Sequence, residues 1–197
     1  HHQFLLAKML ARIDAVNADI AALDTEIGDH LAPFADAVAR LDEIPGIGPT
    51  AAAIIIAEIG LDMTRFPTPA HLASWAKFAP GINSSAGKNK GNGSTGHGNR
   101  YLARVLGEAV AGAGRTDTFL GARYRRLVRR RSKKKAIVAV GRSMLVIIWQ
   151  LLADPEARFH DLGADHYDRH VNTHAKRRNH IRQLESLGYR VTLEPAA

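Results

Sequence analysis

Residues 44–52 of this chain read Ile44-Pro45-Gly46-Ile47-Gly48-Pro49-Thr50-Ala51-Ala52. This stretch is typical of a helix-hairpin-helix. It has an apolar residue, any residue, Gly, an apolar residue and Gly, followed by a helix of small residues. The glycines permit a tight turn with positive φ and let backbone N–H groups at the next helix start approach a phosphate. The residues predicted to contact nucleic acid here are Gly46, Ile47, Gly48 and Thr50. A plain turn between two packed helices is the alternative.

Helical patterns continue on both sides of this turn, so the chain is predicted to be mainly α-helical. Residues 51–59 are apolar all round, which indicates a buried helix. Further helices are predicted for residues 34–41, 70–78, 137–152 and 172–187, and from residue 100 onward. Residues 189–193 alternate apolar and polar side chains and could form one short C-terminal strand.

The first 30 residues contain an a/d heptad seam of about three heptads. Its members recur every three or four positions: Leu6, Met9, Ile13, Val16, Ile20, Leu23 and Ile27. A seam this narrow needs a partner, either within the same polypeptide or in another subunit. We predict a coiled coil and a homo-oligomer joined through it. The predicted parts are a coiled-coil extension over 1–40, a helical domain over 41–155 and a C-terminal helical tail over 156–197.

Positive charge is concentrated in one part of the chain. The 197 residues carry a formal net charge of +8, but residues 1–70 hold 4 Lys/Arg against 10 Asp/Glu, whereas residues 81–135 hold 14 against 2. Such segregation favours a polyanionic partner, most often nucleic acid. The absence of cysteine excludes disulfides and thiolate metal sites. No apolar run approaches the roughly 20 residues that span a bilayer, so no membrane partner is expected.

Nine Lys and Arg residues lie between positions 123 and 135 without one acidic residue. They would repel one another strongly unless a polyanion were bound. The alternative is an ordinary solvated helix whose long Arg stems cover part of the core. The candidates for nucleic-acid contact in this segment are Arg123, Arg126, Arg130, Lys133 and Lys134.

Residues 83–100 are rich in Ser, Gly, Asn and Lys and contain no large apolar side chain. Their N–H, hydroxyl and ammonium groups can surround a phosphate, although the composition equally fits an exposed flexible linker. A serine that attacks a phosphodiester needs exposure, a base or a lowered pKa, and cations that stabilise the pentavalent phosphate. The candidates are Ser84 and Ser85 as nucleophiles, Lys88, Lys90 and Arg100 as cations with Arg104 one helical turn on, and His97 as base.

The sequence contains no motif that predicts a metal site or a cofactor. A phosphate-binding P-loop and a His-Glu-x-x-His pattern are absent, and the acids are scattered rather than grouped for a two-metal nuclease. His166, His170 and His174 have i, i+4 spacing, but a metal there would need a further rigidly held ligand. We therefore interpret His170 and His174 as surface residues.

Taken together, the spaced motifs resemble the C-terminal domain of the IS-one-ten family of insertion-sequence transposases, the DEDD, bridge-RNA-guided recombinases. The resemblance covers about residues 40–155, and the coiled coil and Gly188-Tyr189-Arg190-Val191 are in keeping with it. The motifs are Ile44-Pro45-Gly46-Ile47-Gly48-Pro49, Ala57-Glu58-Ile59-Gly60, Arg65-Phe66, Leu72-Ala73-Ser74-Trp75-Ala76, Ala79-Pro80, Ser84-Ser85-Ala86-Gly87-Lys88 and Gly98-Asn99-Arg100-Tyr101-Leu102.

This resemblance implies that a loop serine links covalently to DNA. By position the nucleophile is Ser84, with Ser85 as second choice, and Ala86 stands where the family usually has Gly. The implied partners are DNA, as transposon ends and target, and a guide RNA. The implied location is the prokaryotic cytoplasm, at the nucleoid.

Family members also carry an N-terminal RuvC-like nuclease domain whose four acids bind a divalent metal such as Mg²⁺. Residues 1–40 are too few to form that domain. We therefore expect this chain to bind DNA or RNA without recombining DNA by itself. The alternative readings are a non-catalytic DNA- or RNA-binding module and a structural assembly protein with a solvated basic face.

Overall fold

The protein is mainly α-helical, as the sequence predicts. The computed structural model describes residues 1–81, 84–85, 88–89, 94–169 and 173–193, with the backbone alone at 84–85, 88–89, 168 and 173–176. Its helices in chain order are α1 His2–Leu31, α2 Ala35–Asp42, α3 Pro49–Ile59, α4 Pro69–Trp75, α5 Arg100–Ala113, α6 Phe119–Val128, α7 Lys133–Ala153, α8 His166–Arg169 and α9 Thr173–Ser186. Short 3₁₀ turns span Ala32–Phe34 and Met63–Arg65, and a two-stranded ribbon joins β1 Ser84–Ser85 to β2 Lys88–Asn89.

Helix α7 is the centre of the hydrophobic core, where it packs against α2, α4, α5 and α6. Met144, Leu145 and Ile148 of α7 have no solvent exposure. At 21 residues, α7 is long and apolar enough to cross a membrane by length and composition, which corrects the expectation that no apolar run approaches that length. Its buried face against four other helices accounts for the apolar composition, because each buried Leu or Ile contributes about 1.5–3 kcal/mol.

The turn between α2 and α3 packs directly against α5. Gly46 has a φ of +90°, and a Cβ atom there would contact the Ala109 carbonyl oxygen and lie 2.8 Å from the Ala113 nitrogen. Only glycine fits both the conformation and the space. Gly48 has a φ of −103°, so the prediction of positive φ is right for Gly46 and wrong for Gly48. Whether this turn acts as a helix-hairpin-helix on DNA stays a prediction.

A buried arginine joins α2 to the end of α7. Arg40 is 5% exposed, and its Nη1 donates to the carbonyl oxygens of Leu151 and of Asp154, the latter at 3.0 Å. Its Nε donates to Asp36 Oδ2 at 2.9 Å. The last carbonyls of a helix lack intrahelical partners and attract cations, so Arg40 stabilises the α7 C-terminus.

Helix α1 carries the predicted seam, and none of its residues is buried. Met9 and Leu23 of the seam are 65% and 61% exposed. The coiled coil and the oligomer therefore stay predictions. An isolated amphipathic helix with an uncovered apolar stripe is marginal in water, which is why a partner is expected.

Residues 189–193 do not form the short strand that their alternation predicts. Helix α9 ends at Ser186, and Gly188 follows with a φ of +89°. Tyr189 and Leu193 are exposed. A strand requires a neighbour that pairs with its N–H and C=O groups, and the ribbon of β1 and β2 pairs only with itself in the described part of the chain.

Candidate nucleic-acid interface and serine loop

The two ends of the serine-bearing loop meet. The Gly81 N–H donates to the Ser94 carbonyl oxygen at 3.1 Å. Between these residues, β1 and β2 pair antiparallel, with Ser84 opposite Asn89 and Ser85 opposite Lys88. The backbones of both predicted nucleophiles therefore lie in a strand pair, within a loop whose two ends are joined by a hydrogen bond. Their side chains, that of Lys88 and the whole of Lys90 lie outside the described residues, so their roles stay predictions.

The segment that leaves this loop lies against the end of α4. A Cβ atom at Gly98 would lie 2.7 Å from the Ala76 carbonyl oxygen and 3.0 Å from the Lys77 Cβ, so the close approach requires glycine. Lys77 itself has a φ of +60°, which is uncommon for a residue with a Cβ. The Lys77 backbone is strained, and the close approach of Gly98 holds the loop exit beside the end of α4.

Asn99 connects the loop exit to two helices. Its Oδ1 accepts from the backbone N–H groups of Tyr101 (2.9 Å) and Leu102 (3.1 Å), which caps α5. Its Nδ2 donates to Glu58 on α3. Sequence reasoning did not assign either side chain a role. The available signal was an Asn directly before a helical pattern, which is a typical N-cap.

Two of the arginines predicted to act as cations beside the loop already interact with neighbouring side chains. Arg100 lies over the Tyr101 ring, 4.8 Å from its centroid, and donates to the Tyr101 hydroxyl at 2.7 Å. Arg104 pairs with Glu108 at 2.9 Å, so part of its charge is already balanced. His97 is exposed. Because its environment is open, its suitability as a base depends on where a bound substrate lies.

Two arginines of α6 are held by the protein itself. Arg123 Nη1 donates to the Tyr167 hydroxyl at 2.7 Å, and its buried Nε has no hydrogen-bond partner among the described residues. Arg125, which was not singled out, donates from Nη1 to the carbonyl oxygens of Gly114 (3.1 Å) and Thr116 (2.7 Å). Arg125 therefore stabilises the connection between α5 and α6. This agrees with the alternative prediction that some arginines of this segment pack against the protein.

The other basic residues form an exposed surface from the end of α6 to the start of α7. We call it the basic surface, and its members are Arg126, Arg129, Arg130, Arg131, Lys133, Lys134 and Lys135. Three of them, Lys133, Lys134 and Lys135, open α7, where the helix dipole disfavours positive charge. A bound anion would relieve both the mutual repulsion and this unfavourable position.

The histidine series does not assemble a metal site in the residues that the structure describes. No group of three or more His, Asp or Glu side chains suited to a metal ion occurs there. His166 instead makes an edge contact with Phe119, with ring centroids 5.0 Å apart. Position 170 and the side chain of His174 lie outside the described residues.

The central part of this chain is similar to transposases. Residues 38–125 match a family model described as "Transposase IS116/IS110/IS902 family". The chain is 31% identical over 115 residues to the "Insertion element IS110 uncharacterized 43.6 kDa protein" of Streptomyces coelicolor, a match covering 58% of this chain and 28% of that relative. It is 28% identical over 153 residues to a "Probable family 20 transposase" of Pseudomonas aeruginosa, covering 76% and 45%. The chain thus spans less than half the length of each relative.

Proposed function

Because residues 38–125 match the model of the IS116/IS110/IS902 family of transposases, we propose that this chain carries the serine-bearing part of a DNA transposase. It acts on transposon ends and target DNA, with Ser84 as nucleophile and Ser85 as second choice. The observation that supports this most is the closure of the loop that carries the β1–β2 ribbon, where the Gly81 N–H donates to the Ser94 carbonyl oxygen at 3.1 Å. The backbone pairing of Ser84 with Asn89 would hold the nucleophile at a defined place relative to a bound substrate.

The proposed reaction conserves the phosphodiester bond energy. The Ser84 Oγ attacks a DNA phosphorus, the new Oγ–P bond replaces the P–O bond to one deoxyribose, and the displaced deoxyribose oxygen takes up a proton. The proton lost by the serine passes to a base, for which His97 is the candidate. Attack by another deoxyribose hydroxyl then breaks the Oγ–P bond, restores the serine and rejoins the DNA. No external energy source is needed.

Cations beside the loop would stabilise the additional negative charge of the pentavalent phosphate. Lys88, Lys90 and Arg100 are the proposed sources. Arg100 is already oriented over the Tyr101 ring, which leaves it less conformational freedom to lose on binding. The basic surface would hold the flanking phosphates and keep the DNA on this side of the protein.

Divalent metal chemistry is not assigned to residues of this chain. The family resemblance attributes Mg²⁺ to carboxylates of a RuvC-like nuclease domain, and the described residues contain no grouped carboxylates that fit such a site. We propose that those carboxylates come from another polypeptide segment and that this chain alone binds nucleic acid without completing strand transfer.

The remaining proposed partners follow from exposed surfaces. The uncovered seam of α1 supports a homo-oligomer formed through a coiled coil. The basic surface supports contact with a guide RNA as well as DNA, since both present phosphodiester backbones. The proposed location is the prokaryotic cytoplasm, in association with the nucleoid.

Trapping of a covalent protein–DNA adduct tests the nucleophile. We would use the longest polypeptide that the reading frame encodes, a nicked DNA substrate that prevents religation, and Mg²⁺. The Ser84→Ala variant should form no adduct, whereas Ser85→Ala and the matched control Ser74→Ala, at an exposed position of α4, should form it. Loss with Ser85→Ala alone would move the nucleophile to Ser85. Adduct formation by all three variants would refute a catalytic role for these serines.

A non-catalytic nucleic-acid-binding module is the second candidate function. The observation that favours it is the basic surface, which requires no serine chemistry to bind phosphate. In that case Ser84→Ala would leave both DNA affinity and every measurable activity unchanged. The third possibility, a structural protein with a solvated basic face, predicts that DNA binding does not weaken as salt rises.

A further inference from the structure

The Tyr167 ring lies against the guanidinium of Arg126. Tyr167 is 41 positions further along the chain than Arg126. The Arg126 Cζ is 4.7 Å from the centroid of the Tyr167 ring. The Tyr167 ring is also stacked against Phe119, with centroids 5.3 Å apart and an interplanar angle of 18°. Phe119 and Arg126 belong to α6, whereas Tyr167 belongs to α8. The tail thus adds an aromatic layer to the basic helix.

Several hydrogen bonds hold this aromatic layer in place. Asp161 Oδ1 accepts from the Phe119 N–H at 3.0 Å, which ties the tail to the first turn of α6. The Tyr167 hydroxyl accepts from Arg123 Nη1 at 2.7 Å. Arg169 Nη2 donates to the Leu162 carbonyl at 2.7 Å and to Asp165 Oδ1 at 3.0 Å, which closes the loop before α8. The ring is therefore fixed from both sides of the contact.

The donors of Arg126 are not used by this arrangement. Arg126 is exposed, and the structure shows no hydrogen-bond acceptor for it among the described residues. Arg104 and Arg125, in contrast, already have a carboxylate or carbonyl partner. An aromatic ring can orient a guanidinium through its face while leaving the N–H edge free.

We propose that Tyr167 is a positioning residue that holds Arg126 ready to bind a phosphate of a nucleic-acid backbone. This inference rests on the proposed function, because it requires that the basic surface binds nucleic acid. The guanidinium edge matches two phosphate oxygens, and the exposed Arg130 lies in the turn that follows α6, where it would contact a neighbouring phosphate. The contact reads no base, so it serves DNA and RNA alike.

A double-mutant cycle tests the coupling between Tyr167 and Arg126. Fluorescence anisotropy would measure the Kd of the full chain for a mixed-sequence DNA duplex and, separately, for an RNA hairpin, at several salt concentrations. Arg126→Ala should weaken binding and lower the salt slope by about one. Tyr167→Ala should weaken binding about two- to fivefold without changing the net charge. In the Arg126→Ala background, Tyr167→Ala should have no further effect.

Two further variants separate positioning from folding. Tyr167→Phe keeps the ring under Arg126 and loses only the hydroxyl contact to Arg123, so it should bind almost as the wild type does. Tyr189→Ala removes an exposed tyrosine of the same tail, for which the described residues show no contact with an arginine, and should leave Kd unchanged. If Tyr167→Ala unfolds the tail, Tyr167→Phe still tests the role of the ring face. A loss of affinity by Tyr167→Phe equal to that of Arg126→Ala would overturn that role.

The outcomes distinguish this inference from the function on which it rests. Wild-type chain that shows no salt-dependent binding to either nucleic acid would refute the proposed function and this inference together. Normal wild-type binding with unchanged affinity for Tyr167→Ala would refute the inference alone. Additive effects of Tyr167→Ala and Arg126→Ala would also overturn it. Because the contact reads no base, the effects on the DNA arm and the RNA arm should be similar, and an effect confined to one arm would overturn the claim that the site serves both.

Discussion

Asn99 donates its side-chain amide to Glu58 while its carbonyl oxygen caps α5. This pair joins the exit of the serine loop to α3, a helix that starts at the phosphate-binding turn predicted from the sequence. Within the Asn99 side chain, the NH₂ group is the donor and the carbonyl oxygen is the acceptor that caps α5. One side chain therefore caps α5 and binds α3, and a substitution can test these two contacts separately.

Replacing Asn99 with Asp should destabilise the protein although Asp is a good N-cap. The new carboxylate would keep the cap but meet the Glu58 carboxylate, and like charges in contact repel. Adding Glu58→Gln should restore stability, since an amide can donate to Asp. Urea unfolding measures the difference, expected at about 1–2 kcal/mol. Equal stability of Asn99→Asp and the wild type would show that the Asn99–Glu58 contact is unimportant.

Gly46→Ala should destabilise the fold far more than Gly48→Ala. At Gly46 the φ of +90° and the α5 backbone both exclude a Cβ, which predicts a loss of about 2 kcal/mol or more. At Gly48 the φ is −103°, and an added Cβ would meet no non-neighbouring atom of the described residues within 4 Å, so the loss should not exceed about 1 kcal/mol.

The same pair of variants then tests the predicted phosphate contact. Because Gly48→Ala should remain folded, its DNA affinity can be measured at fixed salt. Weaker binding would support close approach of a phosphate to this turn, whereas unchanged binding would favour a plain packing turn.

Arg40→Ala should lower the free energy of unfolding by about 2–3 kcal/mol, because the carbonyls at the α7 C-terminus lose charge-assisted hydrogen bonds in a buried place. Asp36→Asn is the matched control. The Asp36 side chain is 65% exposed, so removing its charge should cost less than about 1 kcal/mol. Chemical denaturation of both variants gives the comparison, and similar losses would mean that the ion pair, not the α7 cap, is what Arg40 contributes.

Ile13→Asp combined with Ile20→Asp should abolish self-association without lowering domain stability. Both residues lie on the exposed seam, and no residue of α1 is buried in the described chain, so the core is unaffected. Sedimentation equilibrium would report the mass. Ala18→Asp, on the face opposite the seam, should leave the mass unchanged. A wild-type chain that is monomeric at all concentrations would contradict the predicted homo-oligomer.

Local patterns predicted most of the helices of this protein. The helix over residues 51–59 begins two residues earlier, at Pro49, and the helix predicted from residue 100 begins at Arg100. Such features depend on residues three or four positions apart and on turn chemistry, both of which a sequence displays directly. The strand predicted from the alternation at 189–193 is wrong, because a strand also needs a partner strand and no local pattern supplies one.

The candidate site depended more strongly on tertiary structure. The amino-acid sequence alone was enough to identify a basic, serine-containing, mainly helical chain and to assign its family resemblance. Only the folded chain brings Asn99 to Glu58, Tyr167 to Arg123 and Arg40 to the end of α7, pairs whose members lie between 41 and 114 positions apart. The physical reason is that composition sets charge and periodicity sets helices, whereas the packing of those helices decides which arginines face solvent and which are held by the protein.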